Sequence, residues 1–367
     1  MKRFEALDAF RGMTIFLMII VNTPGDWSAT ISPLLHANWH GFTPTDLVFP
    51  SFLFAVGNAL VFANRKWEDK PFSAYFAKIL RRTIILFLLG YLMYWVPFFK
   101  WSDGGSLLPI PFSETRIPGV LQRIALCYFI ASIMIHFLSE RALWAWSAVF
   151  LLVYWARLSI FGDYSLEGNA VLKLDRFLLG EGHLYMGEGI PFDPEGLLST
   201  LPSVVNVIAG YLFGAYLVRG EIDYEKIAKT MLAGLALLFA AYVWNFGFPI
   251  NKKLWTSSYV LLTVGLDLLA MAVILYTTNL AARRVNYTFF LVLGMNALFL
   301  YLLSEYLAIF MHFIRVDEGV SLFRYTYISL FEWMGPYIGS LAFALAFTMV
   351  CWAAGWWLWK KKIYIKV

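Results

Sequence analysis

Long apolar blocks separated by shorter polar connections run the length of the chain. A membrane-spanning helix needs about 20 mainly apolar residues. Ten segments meet that requirement, roughly 6–22, 45–62, 83–98, 118–138, 142–157, 201–218, 230–247, 257–276, 288–310 and 337–358. The pattern predicts an all-α, polytopic membrane helix bundle of about ten transmembrane helices, with residues 1–367 forming a single domain. Met1-Lys2-Arg3 ahead of an apolar stretch resembles a signal peptide, but Asp8 and Arg11 interrupt it and no small-residue cleavage pattern follows. It is expected to be a retained first span.

The basic residues orient the bundle. One set of connections carries Lys2 and Arg3; Arg65, Lys66, Lys70, Lys78, Arg81 and Arg82; Arg141; Arg219, Lys226 and Lys229; Arg283 and Arg284; and Lys360, Lys361, Lys362 and Lys366. The opposite set is longer and holds only Lys100, Arg116, Lys173, Arg176, Lys252, Lys253, Arg315 and Arg324. Both termini are therefore expected in the cytoplasm. The long outer loops, 23–44, 99–117, 158–200 and 311–336, are rich in Trp, Tyr, Phe, Gly and Pro and are expected to fold over the bundle. No internal repeat is visible, which weakens a repeat-built transporter.

Composition narrows the class. The chain is 60% hydrophobic and 14% charged, with a mean hydropathy of +0.67, against about 45–50% and about 25% in soluble domains. That balance excludes a soluble enzyme, a disordered chain and a nucleic-acid binder. Two cysteines, Cys127 and Cys351, both within apolar runs, leave no basis for a disulfide framework or a cysteine metal site. The 158–200 loop carries Asp163, Glu167, Asp175, Glu181, Glu188, Asp193 and Glu195 against Lys173 and Arg176. An acidic outer vestibule would favour a cationic substrate such as an amine; the alternative is that outer loops lack Lys and Arg for topological reasons alone.

Polar residues at membrane depth are functional candidates by default. The densest group leads into the second span: His36, Trp39, His40, Thr43, Pro44 and Asp46. Thr43 reads as an N-cap, Pro44 as the first helical residue and Asp46 as the third, so Asp46 is either a capping carboxylate or the partner that fixes the tautomer of His36. His36 is the candidate base, with His40 a neighbouring decoy. Asn22, at the outer end of the first span, is either a helix C-cap or an amide for a developing oxyanion. Asp8 and Arg11 share a helix face and can pair. Arg123, Asp267, Asn296 and Glu305 are further buried polar points, each readable as an interhelical hydrogen bond. Arg81 and Arg82 read as positive-inside anchors or as phosphate ligands.

Six strings carry a family resemblance: Leu-Asp-Ala-Phe-Arg-Gly (7–12), His-Ala-Asn-Trp-His-Gly with Asp-Leu-Val-Phe-Pro (36–50), Arg-Ile-Pro-Gly-Val-Leu-Gln-Arg (116–123), Leu-Asp-Arg with Leu-Gly-Glu-Gly-His (174–183), Asp-Pro-Glu-Gly (193–196) and Gly-Met-Asn (294–296). In this order they resemble the heparan-α-glucosaminide N-acetyltransferase family of transmembrane acyltransferases, as a compact bacterial relative without the lumenal N-terminal region. The resemblance implies acetyl transfer from cytoplasmic acetyl-CoA, as donor substrate, to the amine of an amino sugar on the far side of the bacterial inner membrane. It matches the catalytic histidine to His36 and its companions to Asn22 and Asp46. The donor's nucleotide is expected near Arg11, Arg81, Arg82, Arg123 and Asn296, and the acceptor near Trp39, Asp193, Glu195 and His183. No metal and no nucleic acid are expected; the lipid bilayer is a partner, and a homodimer remains open. The competing class is a transporter of the amino sugar or its N-acetyl derivative, and a hydroxyl acceptor is the other alternative.

Overall fold

The computed structural model describes residues 4–64, 67, 70–102, 104–282, 284–317 and 319–365. Lys2, Arg3, Arg65, Lys66, Arg283 and Lys366 of the basic set lie outside the described residues. Among the described residues, helices dominate: α1 (Glu5–Asn22), α2 (Val48–Asn64), α3 (Phe72–Trp95), α4 (Val120–Phe137), α5 (Glu140–Phe161), α6 (Ala170–Leu179), α7 (Thr200–Leu217), α8 (Tyr224–Asn245), α9 (Ser257–Leu275), α10 (Thr288–Met295), α11 (Ala297–Phe313), α12 (Leu322–Leu330) and α13 (Pro336–Lys360). Two small antiparallel hairpins, β1 (Phe99–Trp101) with β2 (Leu107–Pro109) and β3 (Arg315–Asp317) with β4 (Val320–Ser321), cap loops at one end of the bundle.

Helices occupy all ten predicted segments, with three differences of substance. Among the described residues seven helices are long and apolar enough to cross a membrane, or eight if the bent pair α10–α11 is one span. The other two, α1 and α3, each carry three charged residues, Glu5, Asp8 and Arg11 in one and Lys78, Arg81 and Arg82 in the other. Second, α3 begins eleven residues before the apolar segment at 83–98. Its basic first turns are tolerated because the Lys78 ammonium lies 4.4 Å from the Trp67 ring and Arg82 lies 4.7 Å from the Tyr128 ring. Third, the segment 288–310 is no continuous helix but bends by 81° between Met295 and Ala297. Asn296 stands in a non-helical conformation there. Its side chain donates to Ile363 O at 3.1 Å and accepts from Ile365 N at 2.9 Å.

Small residues let the helices approach at backbone distance, the usual packing device where lipid removes the hydrophobic drive. A side chain at Gly57 or Gly210 would strike the facing backbone of α7 or α2, and one at Gly12 or Gly294 the facing backbone of α10 or α1. A second, smaller core forms around Tyr154, Leu158, Val171, Leu172, Phe192, Phe248 and Leu254, so the 158–200 loop packs on the ends of α5 and α8 and on the turn before α9.

Candidate active site

The site begins at the start of the second span. Thr43-Pro44-Thr45-Asp46 forms a capping box at a 3₁₀ turn that runs into α2. The two oxygens of Asp46 do different work. Oδ2 accepts from the backbone N–H of Thr43 at 2.9 Å and of Ala37 at 3.2 Å, while Oδ1 lies 2.7 Å from His36 Nδ1. Capping and histidine pairing are thus not alternatives. With a carboxylate on Nδ1, that nitrogen carries the ring proton and Nε2 is left as the acceptor. The side chain of Asp46 is 1% accessible and that of His36 43%, so the carboxylate is sealed behind a ring that faces open space.

That space is a cavity of about 410 Å³. Its walls bring together His36, Asn22 and Met18 from α1, Phe49 and Phe52 from α2, Arg116, Val120 and Ile124, Tyr185, Glu188 and Glu195, Lys252 and Lys253, and Tyr301 and Glu305 from α11. A larger groove of about 510 Å³ between α5, α7, α8 and α9 is lined chiefly by aliphatic side chains and brings no histidine to its walls.

The cavity's charges come from segments far apart in sequence. Lys252 Nζ stands 3.1 Å from Nε2 and 3.2 Å from Nδ1 of His36. Lys253 pairs with Glu188 at 2.6 Å and donates to Asn38 O at 2.8 Å. The turn at 246–256 is stitched to the 36–46 loop, since Gly41 N donates to Ile250 O at 2.8 Å. Gly41 does so at φ +113°, a conformation that favours glycine. Confinement within the cavity, and then the Lys252 ammonium, hold the His36 imidazole below its ordinary range against the pull of Asp46. Burial likewise lowers Lys252, against the opposing charges of Glu195 and Asp46. Burial acts to raise Glu195, but Arg116, Arg123 and Lys252 together keep it below the usual carboxylate range.

Beside the cavity, three of the quoted strings lock into one another. Arg116 donates to both oxygens of Asp193, at 2.8 and 2.7 Å, and to Glu195 at 2.6 Å. The Arg123 guanidinium lies 5.0 Å from the Trp255 ring and donates to Gly196 O at 2.8 Å, to Ser203 at 3.3 Å and to Ser199. Asp175 accepts from Leu197 N at 2.9 Å, and burial with the nearby Asp193 charge pushes it up to about 7. His183 contacts Thr115 O at 2.7 Å through Nδ1.

The other expected site residues divide by position. Asp193 is fully buried against Arg116, and Trp39 donates to Tyr164 O at 2.7 Å and packs on Phe192, so neither lines the cavity. Glu195 does, although it is already paired. Where the 158–200 loop meets the cavity its acidity is offset from other segments, since Arg116 pairs with Asp193 and Glu195 and Lys253 with Glu188. Asn22 lines the cavity and donates to Glu305 at 3.0 Å. Arg11 is held by Asp8 at 3.4 Å and by Gly294 O at 3.2 Å, and, like Arg81, Arg82 and Asn296, is not part of the cavity walls. Arg123 sits in the first turn of α4, at the His36 end, apart from that group. Glu188 was legible only as part of the acidic 158–200 loop and Lys252 and Lys253 only as basic residues of the outer connections, while Tyr185 and Tyr301 had no sequence signal. Glu305 had one, as a charge at membrane depth.

The fold and the site together define a helical integral membrane protein with a carboxylate-held histidine at an interior cavity. Residues 3–179 match the family model described as the catalytic region of heparan-alpha-glucosaminide N-acetyltransferase. The chain is 27% identical over 362 residues to the heparan-alpha-glucosaminide N-acetyltransferase of Homo sapiens, covering 83% of this chain and 53% of that protein. It is 27% identical over 366 residues to the corresponding protein of Mus musculus, covering 83% and 54%. The chain is thus similar to this acetyltransferase family, through the family model over residues 3–179 and through the two relatives at 27% identity. It spans about half the length of the curated relatives it matches.

Proposed function

We propose that the chain is a transmembrane N-acetyltransferase, moving the acetyl group of cytoplasmic acetyl-CoA to the amine of an amino sugar, glucosamine or a glucosaminide, across a bacterial inner membrane. The observation that carries this reading is His36, anchored through Nδ1 by a sealed carboxylate and presenting the rest of its ring to a 410 Å³ cavity. The human and mouse relatives, both heparan-alpha-glucosaminide N-acetyltransferases, supply the reaction class.

In this mechanism the uncharged amine attacks the thioester carbonyl; a C–N bond forms and the C–S bond breaks. His36 Nε2 takes the proton from the attacking nitrogen and returns it to the departing CoA sulfur. General-base help of this kind contributes about 10²–10⁴-fold in rate. Asp46 stabilises the imidazolium. Asn22 keeps a second amide proton beyond the one given to Glu305 and offers it to the carbonyl oxygen. The Lys252 ammonium, 3.1 Å from His36 Nε2, supplies a positive charge beside the reacting centre. Acetylation of His36 itself, followed by attack of the amine, uses the same groups.

The donor's nucleotide is placed at the opposite mouth, near Arg11, Arg81 and Arg82, where the basic connections concentrate. Arg11 lies eleven residues from Asn22 along α1, about 16 Å at the helical rise. The pantetheine arm would rise between the helices and part the side chains at the cavity floor, Met18, Phe52, Ile124 and Tyr301. Arg123 and Asn296 are assigned to positioning, the first of the 193–203 segment and the second of the α10–α11 bend.

The test uses proteoliposomes loaded with acetyl-CoA and bathed in labelled glucosamine. N-acetylglucosamine appearing outside is the expected result. Labelled sugar accumulating inside without acetylation overturns the enzyme and favours a transporter.

A further inference from the structure

Five carboxylates surround the His36 cavity or stand directly behind its walls, and four of them have a cation. Glu195 and Asp193 share Arg116, Glu188 has Lys253 at 2.6 Å, and Asp46 has His36 at 2.7 Å. Glu305 is the exception. Among the described residues no Lys, Arg or His reaches it within ion-pair distance, and its one hydrogen bond comes from the neutral amide of Asn22 at 3.0 Å. It lies on α11, in the bent helix pair that is long and apolar enough to enter a membrane, where a carboxylate without a counter-charge is costly. Yet it lines the cavity together with His36 and Asn22, and Tyr301 stands one helical turn earlier on the same face.

We propose that Glu305 is an ammonium subsite, which takes the charged amino group of a small hydrophilic amine, an amino sugar, as the counter-ion the protein itself does not provide. The reading rests on the acetyltransferase proposal only for the identity of the amine. Asn22 holds one carboxylate oxygen and so orients the group; the other is left for the incoming ammonium. Tyr301 adds an aromatic face, a surface suited both to cations and to the apolar face of a sugar ring. The subsite lies in the same cavity as His36, so an amine held there as the ammonium ion gives one proton to the Glu305 carboxylate, shifts within that cavity as the uncharged amine and attacks, its second proton passing through His36 to the sulfur and the first leaving Glu305 for water. The arrangement also separates recognition from chemistry, since binding at Glu305 selects the charged form and His36 acts on the uncharged one.

The experiment compares wild type with Glu305→Gln, an isosteric change that can keep the Asn22 contact, in detergent without acetyl-CoA. Millimolar glucosamine is expected to raise the thermal unfolding midpoint of wild type and not of E305Q, while glucose, of the same shape without the amine, raises neither. Equal stabilisation of the two proteins, no stabilisation of either, or an equal effect of glucose overturns the subsite. In turnover, E305Q is expected to raise KM for glucosamine at least tenfold with a smaller change in kcat and an unchanged KM for acetyl-CoA, and Glu305→Asp to recover part of the loss. An unchanged KM in an active E305Q enzyme also overturns it. Amine binding in wild type without any acetylation would leave the subsite standing and remove the acetyltransferase reading instead.

Discussion

Two cation–carboxylate clusters lie side by side at the same end of the bundle, built from similar residue types and differently used. In one, Asp46 is sealed and its partner His36 is open, with 43% of its side chain accessible. In the other, Arg116 is 17% accessible and clamps two carboxylates, Asp193 at 0% and Glu195 at 9%. The first cluster ends in a group that can gain or lose a proton near neutral pH. The second ends in a guanidinium that cannot. What separates a reactive pair from a structural one here is therefore which partner faces the cavity and whether that partner titrates.

The contrast can be broken most strongly at His36. Replacing it with Ala is expected to lower the acetylation rate about 10²–10⁴-fold, with acetyl-CoA binding and the unfolding midpoint unchanged, as read by turnover, equilibrium binding and thermal denaturation. Comparable activity in H36A would remove the mechanism. The complementary break is Arg116→Met, which strands Asp193 and Glu195 without their cation. Removing one partner of a buried pair costs about 3–5 kcal/mol, so R116M is expected to lose much of its thermal stability in detergent, whereas H36A keeps it; equal stability of the two variants would collapse the distinction. The smallest and sharpest effect is electrostatic. Lys252 holds His36 below its ordinary range, so Lys252→Met should raise the His36 value and move the acid limb of the pH–rate profile upward. A base must be deprotonated to act, so K252M would need a higher pH to reach half its maximal rate. A limb that stays put or moves down would mean that the ammonium does not act on this ring.

The legible parts of the molecule are those decided locally. Hydrocarbon thickness sets the length of an apolar block, which is why the helices could be read off, and Thr43-Pro44-Thr45-Asp46 announces a helix start in four residues. His36 and Asp46 sit ten residues apart in one loop, so their meeting needed no knowledge of the rest of the chain. What escaped is what tertiary structure decides. Charge counting within 158–200 could not know that Arg116 would be folded against Asp193 and Glu195. Nor could hydropathy anticipate the bend at Asn296, whose conformation is stabilised by backbone groups almost seventy residues later. Lys252 reads in the sequence as a basic residue on the poorly basic face; its importance appears only when the 246–256 turn is laid against the 36–46 loop.

The clamp on Asn296 has a mechanical corollary. The elbow between the two half-helices is tied to residues 363 and 365 at the far end of the bundle, and the longer half-helix carries Tyr301 and Glu305 upward to the cavity. A displacement of that terminal stretch would therefore be felt first at the start of the helix whose next turns form part of the chamber wall.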